Sequence, residues 1–238
     1  MNPITLDSTI EAILAAVPES ANVFEKMGID YCCGGKATLE KACKGRGIDP
    51  ETVLEAIRGG AKGDSEEAAG PDPEAMTPAE LADHVERVHH AYLWEALDQL
   101  NALTMKVAAV HGGRDARLIE LRNVYIDLAK ELADHMLKEE QILFPMIRRL
   151  QDSTGPQHFH CGSVGNPIRK MDLDHEEAGA ALFRIRNLTD GFIPPSTACF
   201  SYRKMLSGLE AMEKDLIEHM RKETYILFPK ALALESAG

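Results

Sequence analysis

The sequence predicts an all-α protein, an antiparallel four-helix bundle preceded by a small helical N-terminal domain. Three observations carry this. From residue 77 on, apolar residues recur at spacings of three and four through four long stretches. The breaks between those stretches fall at Gly112-Gly113, Gly155-Pro156 and Pro194-Pro195, residues that punctuate helices. No segment shows the two-residue alternation of a half-buried strand.

Composition narrows the class. A chain of 238 residues with 45% hydrophobic and 27% charged residues is ordinary for a globular protein. A net charge of −12 argues against nucleic acid and against an anionic membrane surface as partners. No apolar run is long enough to span a bilayer, and the first residues lack a secretory pattern. The five cysteines are odd in number and without framework spacing, so a cytoplasmic protein with reduced thiols is expected.

Residues 1–58 read as the small domain. Thr9–Val17 stops before Pro18, Ser20–Met27 stops at Gly28, and Thr38–Lys44 stops at Gly45. Glu51–Arg58 follows Asp49-Pro50, an N-cap and N1 pair. So small a domain has little core, and docking or homodimerisation is expected. Just before its third helix lies Asp30-Tyr31-Cys32-Cys33-Gly34-Gly35-Lys36. Helix-start N–H groups and Lys36 would favour thiolate at Cys32 or Cys33, which are the candidate reactive residues. Cys43, in mid-helix, reads as core. Residues 59–76 are rich in Gly, Pro and acid and read as a flexible linker.

The bundle occupies residues 77–238. Thr77-Pro78-Ala79-Glu80 is a capping box with proline at N1. The first stripe is His90, Leu93, Leu97, Leu100, Thr104, Val107 and His111, and His84 and His89 fall off it. The second is Leu118, Leu121, Tyr125, Leu128, Leu132, His135, Glu139, Ile142 and Met146. Residues 152–166, including His158–Cys161, read as a solvated loop. A third helix, about 167–188, places Met171, His175, Ala178, Leu182 and Ile185 on one face. Ser196 is the expected cap of the fourth, whose stripe is Tyr202, Met205, Leu209, Met212, Leu216, His219, Glu223 and Ile226. Pro145 and Pro229 are expected to kink or end their helices.

Two of these stripes contain a repeat. Leu132–Ile147 and Leu216–Ala231 share nine of sixteen residues at an offset of 84, including His135/His219, Glu139/Glu223, Phe144/Phe228 and Pro145/Pro229. A histidine and a glutamate four apart lie on one helix face. The inward faces then carry His90, His111, His135, His175, His219, Glu139 and Glu223. Burying two carboxylates without strong partners costs several kcal/mol, on the order of the desolvation of a charge. Metal ions would remove that cost. Imidazole with carboxylate suits iron, manganese or zinc. Seven ligands exceed one tetrahedral zinc but suit two six-coordinate ions bridged by the carboxylates. The Glu-x-x-His pairs and extra glutamates of ferritin-like sites are not met.

With Asp30–Lys36 and His135–Pro145 both in place, the chain resembles, along nearly its whole length, the repair-of-iron-centres family of di-iron proteins. These carry an N-terminal dicysteine domain and a hemerythrin-like bundle. The resemblance implies two iron ions with an oxo or hydroxo bridge. It implies His90, His111, His135, His175 and His219 as terminal ligands and Glu139 and Glu223 as bridging ones. It further implies repair of iron–sulfur clusters damaged by nitrosative or oxidative stress, by iron donation, with damaged iron–sulfur proteins and nitric oxide as partners. The alternatives are reduction of nitric oxide to N2O at the two ions, and reversible O2 or NO binding. With two histidines from the first helix and one from the third, the two metal positions are expected to be inequivalent.

Overall fold

The computed structural model describes residues 4–17, 20, 23–24, 27, 29, 36–44, 46–58, 72–153, 155 and 157–237. The chain divides into two compact units, Met1–Gly70 and Pro71–Gly238. Cys32 and Cys33, and residues 59–71 of the linker expected at 59–76, lie outside the described residues.

Among the described residues of the first unit, α1 (Ile10–Ala16), α2 (Leu39–Lys44) and α3 (Pro50–Arg58) are helical. Thr9 caps α1 by accepting from Ala12 N–H at 3.2 Å, and Asp49 accepts from Thr52 N–H at 3.3 Å. Ile10, Ile13, Leu39, Cys43, Val53, Leu54 and Ile57 are buried, so Cys43 is core as expected. Burial holds its thiol above the ordinary value, with Asp49 adding to the effect.

The second unit is built of four long rods. The first runs from α4 (Pro78–Val85) through a π turn (Glu86–His90) into α5 (Ala91–His111). Its start is the capping box read from sequence: Thr77 accepts from Glu80 N–H, and the Glu80 carboxylate accepts from Thr77 N–H at 2.9 Å. The second rod is α6 (Arg117–Lys138), a π turn (Glu139–Leu143) and α7 (Phe144–Asp152). The third is α8 (Gly165–Leu188). The fourth is α9 (Phe200–Lys222), a π turn (Glu223–Leu227) and α10 (Phe228–Ala237). Packed in pairs, α5 lies against α6 and α9, and α6 lies against α8. A Cβ on Gly208 would come within 2.9 Å of Leu100, so glycine sets how closely α9 approaches α5.

Residues 72–76 belong with the bundle: Lys230 Nζ donates to the carbonyls of Glu74 and Met76 at 2.7 and 2.8 Å. Leu93, Leu97, Leu100, Leu121, Tyr125, Leu128, Leu182, Met205 and Leu209 fill the middle of the bundle. A second apolar cluster, including Leu81, Val85, Leu143, Phe144, Ile147, Ile168, Leu227 and Phe228, closes one end. The polar residues of the stripes lie between the two.

Three expectations need correction. Of the two effects expected at Pro145 and Pro229, kinking or ending the helix, ending does not occur, because each follows a π turn. Phe144 N–H bonds the Glu139 carbonyl and Phe228 N–H the Glu223 carbonyl, a five-residue step that lets the rod continue past the proline. The extra residue also shifts the stripe, so Ile142 is 39% exposed while Leu143 is fully buried. Ser196 does not cap α9: Cys199 occupies the N-cap and makes no side-chain capping bond.

Candidate metal centre

Four rods supply the site, and each does so at one level of the bundle. His90 ends the first π turn. His135 closes α6 and Glu139 opens the next π turn. His175 lies in α8, His219 near the end of α9, and Glu223 opens the last π turn. All six are buried, both glutamates completely. π turns are frequent at functional sites, where they re-aim a side chain without breaking the helix. Here the first one matters most. The buried stripe entering through Leu81 and Val85 would continue to His89 at a four-residue step, and the five-residue step delivers His90 instead.

Each glutamate stands between two imidazoles. Glu139 Oε2 is 3.3 Å from His90 Nε2 and 3.3 Å from His135 Nε2. Glu223 Oε2 is 3.1 Å from His175 Nε2, and its Oε1 is 2.8 Å from His219 Nε2. The donor atoms group into two sets, His90, Glu139, His219, Glu223 and His135, Glu139, His175, Glu223, each with its atoms within 4.8 Å of one another. The two sets share both carboxylates.

The outward ring atoms are held too. His90 Nδ1 lies 2.8 Å from Glu140 Oε1, and His175 Nδ1 lies 3.2 Å from Thr224 Oγ1. Asp174 approaches His135 Nδ1 at 3.6 Å, an ion-pair contact rather than a hydrogen bond. Phe144 stacks on His90 and Phe228 on His175, with ring centres 5.6 and 5.9 Å apart. Such outer partners fix the tautomer and aim the inner nitrogen. The sequence reading named none of these partners. Their one signal is adjacency: Glu140 follows Glu139, Thr224 follows Glu223, and Asp174 precedes His175.

Electrostatics favour charge separation inside the cluster. Burial pulls the His135 pKa down, but the Glu139 carboxylate and Asp174 outweigh it and push it up to about 10. His90 is raised likewise, against burial, by Glu139. Burial prevails at His219, which is lowered. Burial and the Glu223 charge both push the Glu139 carboxyl up, yet His135 and His90 hold it below its ordinary value. Glu223, opposed by burial, is held lower still by His219 and His175.

The residues fit a pair of cations. Both oxygens of Glu139, Glu223 Oε2 and His90 Nε2 are buried and make no hydrogen bond of acceptable geometry. In a protein interior such atoms are rare and costly. A cation in each set would satisfy them, and the mixture of imidazole and carboxylate is what iron, manganese or zinc prefer.

His111 is not part of this arrangement. It shares a face with His90, but 21 residues of helix at roughly 1.5 Å each separate the two by about 31 Å. Its Nε2 lies 3.3 Å from Cys199 Sγ instead. Common face is necessary for shared ligation; common level is also required. Without His111 the two halves of the chain contribute alike, as His90, His135, Glu139 and His175, His219, Glu223. The inequivalence expected from an uneven ligand count therefore falls away. His89, set aside in the sequence reading, is buried beside the site. It is stacked on His219 at 5.3 Å and bonded to Asp215 and Lys222 at 2.9 Å each.

Two donor sets sharing a pair of carboxylates inside a helical bundle define a class, that of helical-bundle proteins with a buried His/Glu cluster that could hold metal. The comparisons with known proteins narrow it. Residues 81–231 match the hemerythrin HHE cation binding domain, and residues 6–59 match ScdA_N, described as a domain of unknown function. The chain is 34% identical over 229 residues to proteins named iron-sulfur cluster repair protein YtfE from Enterobacter sp. (strain 638) and Escherichia coli O157:H7, covering 96% of this chain and 98% of theirs. It is 33% identical to the protein of that name from Shigella boydii serotype 4, with the same coverage. The chain belongs to this family of hemerythrin-like proteins.

Proposed function

We propose that this protein repairs damaged iron–sulfur clusters from a resident pair of iron ions. His90 and His219 would hold one ion and His135 and His175 the other, with Glu139 and Glu223 shared between them. The observation that carries the reading is the sharing of both buried carboxylates by two four-residue sets, in a chain whose relatives over 96% of its length are named as repair proteins. When bound, the ions supply a redox-active iron store. The chain's own residues keep it. Glu140, Thr224 and Asp174 orient the imidazoles, Phe144 and Phe228 stack against two of them, and the apolar clusters on either side exclude water. Cys32 and Cys33 would meet the damaged cluster and receive iron or a nitrosyl group, in a cytoplasmic setting. No helix among the described residues is long and apolar enough to cross a membrane.

The test is reconstitution. Iron-loaded protein should restore activity to a nitrosylated iron–sulfur enzyme. Restoration by the metal-free protein plus an equal amount of free iron would overturn iron donation.

One observation favours a second reading, nitric oxide binding or reduction at the same ions. A cavity of about 20 Å³ lies beside His135 and His175, walled by Leu132, Ala178, Leu216 and Met220. Space on this scale admits one water-sized molecule beside the two imidazoles. Formation of N2O on adding nitric oxide to the reduced protein supports reduction; a stable nitrosyl adduct without gas excludes it.

A further inference from the structure

The pairing of His111 with Cys199 lies outside the metal centre and has its own chemistry. Cys199 is exposed, and its Sγ sits 3.3 Å from His111 Nε2. Cys199 is the N-cap of a 23-residue helix and makes no side-chain capping bond, and its side chain contacts His111 instead. Arg203 folds back, its Nε donating to the Ala198 carbonyl at 3.2 Å, so a guanidinium lies against the peptide preceding Cys199. From the next residue, Phe200, a groove of about 730 Å³ runs between α5 and α9. Leu100, Leu103 and Phe200 give it an apolar lining, and Arg203 and Lys204 add two cations against the one carboxylate of Glu95. The other described thiols lack these features, since Cys43 is buried and Cys161 is half-buried with its sulfur 3.6 Å from Met146 Sδ.

We propose that Cys199 and His111 form a thiol–disulfide exchange site for a small disulfide bearing carboxylates, of which oxidised glutathione is the type. His111 Nε2 takes the Cys199 proton. The sulfur then attacks one sulfur of the disulfide, a bond forms between them, and the original S–S bond breaks. The leaving thiolate recovers the proton from His111. One disulfide is consumed and one is made, with no other oxidant required. Arg203 and Lys204 pair with the carboxylates, and the apolar lining takes the ligand's chain.

The experiment treats the metal-loaded, full-length, reduced protein with oxidised glutathione and maps mixed disulfides by peptide mass spectrometry over time. Cys199 should be modified at least about tenfold faster than Cys161, because it is exposed and has a proton acceptor beside its sulfur. His111→Gln should slow Cys199 by about tenfold with metal content unchanged, because the proton acceptor is lost. Arg203→Gln and Lys204→Gln should slow the reaction with oxidised glutathione but not with uncharged 2-hydroxyethyl disulfide. An undiminished rate in His111→Gln, equal effects of the charge variants on both disulfides, or loss of metal from His111→Gln would each overturn the proposal.

Discussion

Glu139 and Glu223 are the residues on which the centre turns, because each is fully buried and each belongs to both donor sets. Removing one should therefore disturb both metal positions, whereas removing one histidine disturbs one. Glu139→Ala should lose nearly all bound metal, and His90→Ala should lose mainly one ion, as read by metal analysis of the purified variants. The metal-free site also has a pH signature. His135 keeps its proton up to about 10, and a ligating imidazole must give that proton up. At pH 8 metal uptake should therefore release a proton from His135, and affinity should rise as pH increases toward that value and fall as pH decreases. Calorimetry in two buffers of different ionisation enthalpy measures the release, and identical heats in both would contradict it. All seven candidates were named from the sequence, because a polar residue in an apolar stripe is conspicuous, and six of them meet in one cluster. Their outer partners were not, because Glu140, Asp174 and Thr224 sit beside the stripe, where polar residues are unremarkable.

At the scale of the element, the π turns are what a stripe read at one uniform pitch cannot see. They add a residue just where the candidate ligands fall. In the second rod the buried face moves from Ile142 to Leu143, while in the fourth both Ile226 and Leu227 are buried. Leu143→Ala should cost about 2–5 kcal/mol, the range for emptying a buried leucine site. Ile142→Ala, at an exposed position, should cost within about 0.5 kcal/mol. Urea unfolding of the two variants decides it, and equal costs at the two positions would contradict the shifted face. The helix start at Thr77 is by contrast a local signal and was readable as such. Thr77→Ala should lower stability by about 1 kcal/mol through loss of the cap.

At the scale of the whole molecule, the bundle brings together two halves related by the internal repeat and seats the carboxylates between two apolar clusters. Binding that depends on this assembly must stabilise it, since a ligand taken only by the folded state adds about 4 kcal/mol at a thousandfold excess over its dissociation constant. Stripping the metal with a chelator should therefore lower the melting temperature, and an unchanged melting curve would mean the cluster stands without ions. The sequence by itself determined the all-α class, the capping box, the repeat and the six residues of the buried His/Glu cluster, because helical periodicity and capping are local and a buried charge is costly wherever it falls. Only the tertiary structure decided which histidines meet. Periodicity reports the angle of a residue around its helix, not its height along the bundle. Height separates His111 from His90 and pairs it with Cys199, and the π turn that delivers His90, which the stripe already chooses over His89, shows only in the folded backbone.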